Sequence, residues 1–89
     1  MNTYVSLSSL AMDLKRVAIG YHRGSEKMAD RFLEEVLKRK DEIQKDSVKP
    51  YVNLLLSKLE GLLNEKDLNK KAEDSLLYST LFQNASLAI

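Results

Sequence analysis

Apolar residues return every three or four positions along nearly the whole of this chain, and very little interrupts them. In the first segment Leu7, Leu10, Leu14, Val17 and Tyr21 are spaced by three, four, three and four residues, with Ala11 and Ala18 on the flank of the same stripe. That is the period of one face of an α-helix, not the alternation of a half-buried strand. Three glycines and one proline among 89 residues leave few sites for the tight turns of a sheet. The chain is expected to be all-α.

Four helices follow from the pattern. The first covers about residues 5–20, where Gly20 can take a left-handed turn and Ser25 can cap the next helix, so that "GYHRGS" forms a corner. The second, over 25–45, carries Met28, Ala29, Phe32, Leu33, Val36, Leu37 and Ile43, with Glu34–Lys38 and Glu35–Arg39 as four-apart ion pairs on its wet face. The third, over 48–63, tolerates Pro50 in its first turn and has Asp46 or Ser47 as its cap. Its stripe of Val48, Val52, Leu55, Leu59 and Leu62 is widened by Tyr51, Leu54, Leu56 and Leu63, which predicts the most buried helix of the set. Gly61 should lie close to its end.

The fourth helix, over 67–83, starts from an Asp67 cap and has two apolar stripes. One is Leu68, Ala72 and Leu76; the other is Leu77, Leu81, Ala85 and Ala88, with Tyr78, Phe82 and Ile89 on the far side. For residues 84–89 the sequence weighs order and disorder evenly. Connections this short make neighbouring helices antiparallel. The expected architecture is a single domain over residues 1–89, a small up-down-up-down four-helix bundle. Its fallback is a three-helix core with the fourth helix used in association.

Most catalytic chemistry finds no footing. With no cysteine there are no disulfides, thiolate metal sites or cysteine nucleophiles. His22 is the single histidine, and no carboxylate stands at metal-ligand spacing from it. The acidic neighbours Glu34–Glu35, Asp41–Glu42 and Glu73–Asp74 are interleaved with Lys and Arg, as on solvated helix faces. No glycine-rich phosphate loop is present. No catalytic, cofactor or metal residue is assigned, and the chain is expected not to be an enzyme. Lacking a basic leader ahead of an apolar core, and lacking any run near the ~18 apolar residues that span a bilayer, it is expected in the cytoplasm and off the membrane.

Two surfaces remain as candidates. The first is set by where charge is missing: the first twelve residues and the stretch after Asp74 carry no charged side chain, although Asp, Glu, Lys and Arg make up 30% of the chain. An up-down-up-down bundle brings those two stretches to the same end. A charge-poor surface rich in leucine and aromatics has the composition of an interface core. The expected partner is a second copy of the chain, as a homodimer, or another protein that it serves as adaptor or regulatory subunit. The contact residues would be Tyr4, Leu7, Leu77, Tyr78, Leu81 and Phe82.

The second candidate is the basic first corner, where Lys15, Arg16, His22, Arg23 and Lys27 are candidate nucleic-acid contacts, with Arg31 nearby and Lys66, Lys70 and Lys71 at the same end. A net charge of +1 supplies no long-range field for such binding, and stacking aromatics are lacking apart from Tyr21, so this is the weaker reading. Five residues separate Arg16 from His22, a spacing that resembles the arginine–histidine pair of the helical ribonucleases of the HEPN group, where the pair flanks the scissile phosphate. Seven residues in a first helix, interrupted by Gly20, do not assign that family. A corner histidine beside a surface arginine accounts for them.

Overall fold

The computed structural model of the chain describes residues 2–88. It is an all-α, antiparallel up-down-up-down bundle with principal extents of 36 × 20 × 19 Å. Helix α1 covers Thr3–His22, α2 Glu26–Glu42, α3 Pro50–Lys58, α4 Gly61–Asn64 and α5 Leu68–Leu87, with one 3₁₀ turn at Lys45–Ser47. The expected third helix is thus α3 and α4 in succession, bent at Leu59–Glu60. No helix among the described residues is long and apolar enough to cross a membrane.

The start of α1 is fixed by Asn2, whose side chain accepts from the Val5 amide at 2.8 Å. Its end lies two residues beyond the expected one, because Gly20 does not turn the chain. Gly20 stays helical, and the positive φ of the corner belongs to Gly24, at 80°. What Gly20 supplies is closeness: a Cβ built there would sit 2.8 Å from the Ala29 Cβ on α2. The two helices cross at that point in nearly direct backbone contact. Ser25 occupies the cap position of α2 without a side-chain hydrogen bond.

The most buried helix is α1, which corrects the expectation for the third. Leu7, Leu10, Leu14 and Val17 are fully buried, and Ala11, Ala18 and Tyr21 nearly so. On one side α1 meets α2; on the other it runs antiparallel along α5. In α3 and α4 the side chains of Val52, Leu56, Leu59 and Leu62 enter the core, but Tyr51, Leu54 and Leu63 stay in solvent. Two helices this short cannot bury all sides of so broad an apolar face.

Polar contacts also differ from the sequence pairing. Glu34–Lys38 and Glu35–Arg39 do not form; Lys38 reaches Glu35 at 3.9 Å, and Arg39 turns inward to Asp13 at 3.4 Å. Asp13 is largely buried and also accepts from Arg16 at 3.0 Å. That carboxylate, held by two guanidinium groups, pins α1 to α2. Lys40 bonds Glu60 at 2.9 Å, and this hydrogen bond holds its ammonium above the ordinary lysine range.

Asp67 caps α5 as expected, accepting from the Asn69 and Lys70 amides at 3.0 and 3.2 Å. Helix α5 then continues to Leu87, four residues past the predicted end, so 84–87 are helical. Ile89 lies outside the described residues.

Candidate functional site

Helix α5 docks by its small residues. Neither predicted leucine stripe is the buried one: Ala72, Ser75, Ser79, Phe82 and Ser86 are buried at spacings of three, four, three and four, with Lys71 and Ala85 buried beside them. Small residues let two helix backbones approach closely, and the Ser79 hydroxyl donates to the Ala11 carbonyl of α1 at 2.6 Å. Ser75 satisfies its hydroxyl within α5, on the Lys71 carbonyl at 2.7 Å. Ser75, Ser79 and Ser86 thus each satisfy their hydroxyls on carbonyls, whereas the buried Ser8 hydroxyl of α1 has no partner among the described residues.

The consequence is on the outside. Leu76, Leu77 and Leu87 are 51%, 55% and 68% exposed, on a helix half that has no charged side chain. Across the seam from Leu76, α1 leaves Met12 and Ile19 partly in solvent, with Val5 one heptad earlier, whereas Leu77 lies about 100° further round α5. Between the helices lies a shallow trough in two connected parts that share Leu76. One, of about 560 Å³, is walled by Ile19, His22, Asn69 and Glu73 over a floor of Ala18 and Ala72. The other, of about 390 Å³, runs past Met12, Lys15, Thr80 and Gln83 over Ala11 and Ser79.

The six residues expected to meet a partner separate into two sets. Tyr4 and Leu77 are exposed, and Leu81 and Tyr78 are half-buried, Tyr78 packing against the core. Leu7 and Phe82 are fully buried core residues, a correction to their place on the list. Phe82 is the one large side chain in the small-residue stripe of α5, filling the space that Ala72, Ser75 and Ser86 leave. Leu7 lies, fully buried, at the base of a pocket of about 350 Å³ between residues 46–52 and Ala85 and Ala88. That segment brings Asp46 and Lys49 to the end of the bundle where the two uncharged stretches meet. The uncharged surface still open is therefore the long side of α5 and the first half of α1, with Met12, Leu76 and Leu87 as members that sequence pattern did not single out.

The basic corner is divided. Arg16 lies on the α2 side, bonded to Asp13 and stacked over the Phe32 ring at 5.5 Å, whereas His22 and Arg23 face the trough beside α5. Six positions on a helix is a rotation of about 600°, which puts Arg16 and His22 on different sides. No paired arginine–histidine site is assembled. Lys71 is buried with its ammonium 4.8 Å from the centre of the Tyr21 ring, and Lys70 is held by Asp74 and Glu65. Lys15, Arg23 and Lys27 are exposed cations outside any ion pair among the described residues.

Tyr21 donates to Asp30 of α2. Burial, and then that hydrogen bond and the carboxylate charge, push its hydroxyl well above the ordinary phenol range. The group joins α1 to α2 as a neutral donor. Among the described residues no cluster of three or more His, Asp or Glu could hold a metal ion. No family model, no curated protein and no solved structure matches the chain.

Proposed function

We propose that this chain is a small non-enzymatic helical protein that works by association, with itself or as the adaptor or regulatory subunit of another protein, through the outer face of α5 and the first half of α1. One observation carries the reading. Leucines that a helix ordinarily buries, Leu76, Leu77 and Leu87, stand more than half exposed on a helix whose inner face is serine and alanine. Exposed leucines in this number on a small domain point to a contact site, because each such side chain gains roughly 1.5–3 kcal/mol when covered.

Freedom from charge on the same stretch supports the reading further, since interface cores are depleted of Lys, Glu and Asp. Leu76 and Leu77 would be the anchors, with Tyr4, Met12 and Leu87 around them.

The test is the molar mass by light scattering over a wide concentration range, for the natural chain and for a Leu76→Lys, Leu77→Lys variant. Association by the natural chain, lost in a variant that keeps its helix content, is the expected result. A natural chain monomeric throughout, together with a variant that unfolds, would place these leucines in the core and contradict the reading.

A further inference from the structure

We propose that the outer α1–α5 face is closed by the same face of a second copy, α1 of each chain lying antiparallel along α5 of the other, with Lys15 paired to the partner's Glu73 at two equivalent places. This rests on the reading that the face serves association, and it names the occupant.

Three observations point to a second copy. The first is geometric. Two antiparallel helices of 20 residues, lying edge to edge, turn one side away from α2 and α3, and a second such pair laid on that side makes a four-helix layer with antiparallel neighbours all round. Met12, Ile19, Leu76 and Thr80 would then point into the new seam. The second is size. The long side of a molecule of 36 × 20 × 19 Å has a projected area of roughly 700 Å², close to the ~800 Å² that each partner gives to a standard interface.

The third is charge, and it selects the arrangement. Lys15 and Glu73 line the trough on opposite helices, and neither is in an ion pair among the described residues. The bond from Ser79 to Ala11 sets the register of α1 against α5, which puts Lys15 level with Ser75. Glu73 is two residues further on, about 3 Å in height at 1.5 Å per residue, within the reach of a lysine side chain. A two-fold axis running along the helices preserves height and exchanges sides. It lays α1 over the partner's α5 and sets Lys15 against the partner's Glu73, twice. A two-fold axis across the helices at this height would instead lay α1 on α1 and α5 on α5. Lys15 would then meet the partner's Lys15, and Glu73 the partner's Glu73. Like-charge contact penalises that second arrangement.

The experiment is sedimentation equilibrium on the natural chain, on Lys15→Glu, on Glu73→Lys, and on an equimolar mixture of the two variants. Both positions are exposed, so circular dichroism and the thermal midpoint of the dilute variants should match the natural chain. The natural chain should dimerise. Each variant alone should dimerise at least about tenfold more weakly, since both of its contacts become like-charged. The mixture should recover the natural affinity as a heterodimer, because each variant then meets the opposite charge at both contacts. A natural chain that stays monomeric overturns the second copy and leaves association with a different protein standing. Self-association that both charge reversals leave unchanged, or a mixture no tighter than the separate variants, overturns this face and leaves self-association standing.

Discussion

Helices α1 and α5 have the same length, lie side by side and are neighbours over most of it, yet they bury opposite kinds of side chain. In α1 the leucines go in, and the polar residues other than Ser6 and Asp13 stay partly or wholly in solvent. In α5 the serines and alanines go in, with Phe82, and three leucines stay out. The difference comes from position. Helix α1 is flanked by both α2 and α5 and has room for large side chains on its core side. Helix α5 approaches it so closely that its contact line admits little beyond a hydroxyl. A leucine is therefore a sign of the core in α1 and, at Leu76, Leu77 and Leu87, a sign of the surface in α5.

The comparison can be broken most forcefully at Phe82. Phe82→Ala removes the one large side chain of the α5 contact line and should cost about 3–5 kcal/mol in chemical denaturation. Leu77→Ala, five residues earlier, should change the stability of the dilute chain by less than about 0.5 kcal/mol. Equal losses would mean that both stripes are core.

Close approach on the other side of α1 predicts the next effect. Gly20→Ala gains helix propensity of about 1 kcal/mol, but its methyl group meets Ala29, and the overpacking should leave a net loss of about 1–2 kcal/mol. Ala29→Gly in the same chain should recover much of that loss. Gly61→Ala, with nothing within 4 Å of the added Cβ, should be neutral or stabilising. Thermal melts of the three variants distinguish a packing role for Gly20 from a conformational one.

Much of the helical plan is legible, because leucines at helical spacing in α1, the Asp67 cap of α5 and Pro50 in the first turn of α3 are strong local signals. The α5 side departs from its hydropathy pattern for a physical reason. Hydropathy ranks Leu76 and Leu77 above Ser75 and Ser79, whereas close helix packing ranks them by volume. The signal existed: Ala72, Ser75, Ser79, Phe82 and Ser86 keep the same three-four spacing as the leucines of α1. Helical angle alone likewise separates Arg16 from His22. The bend at Leu59–Glu60 was less visible, since Leu59 and Leu62 continue the stripe across it and both reach the core. Gly24 rather than Gly20 as the turn residue depended on where α2 crosses α1, which is a tertiary fact.

Smaller effects sharpen the account. Ser79→Ala removes the hydroxyl bonded to Ala11 and should cost about 1 kcal/mol, whereas Thr80→Ala, on the exposed side, should cost less than about 0.5 kcal/mol. Tyr21 gives a pH dependence confined to alkaline solution. Its ordinary value is 10.0 and its folded value is raised, so above pH 10 the unfolded chain loses that proton before the folded chain does. Its contribution is complete below pH 10 and falls as pH rises beyond it. Tyr21→Phe should flatten that part of the stability profile relative to the natural chain.

The most direct test of the central claim is a Leu76→Ser, Leu77→Ser variant followed in one sample series by urea denaturation and light scattering. The account predicts that the dilute variant unfolds at the natural urea midpoint, with unchanged helix content, and remains monomeric at concentrations where the natural chain associates. A midpoint shift equivalent to 2 kcal/mol or more per leucine, the cost of truncating a buried leucine, would show that α5 docks by its leucines and contradict the account.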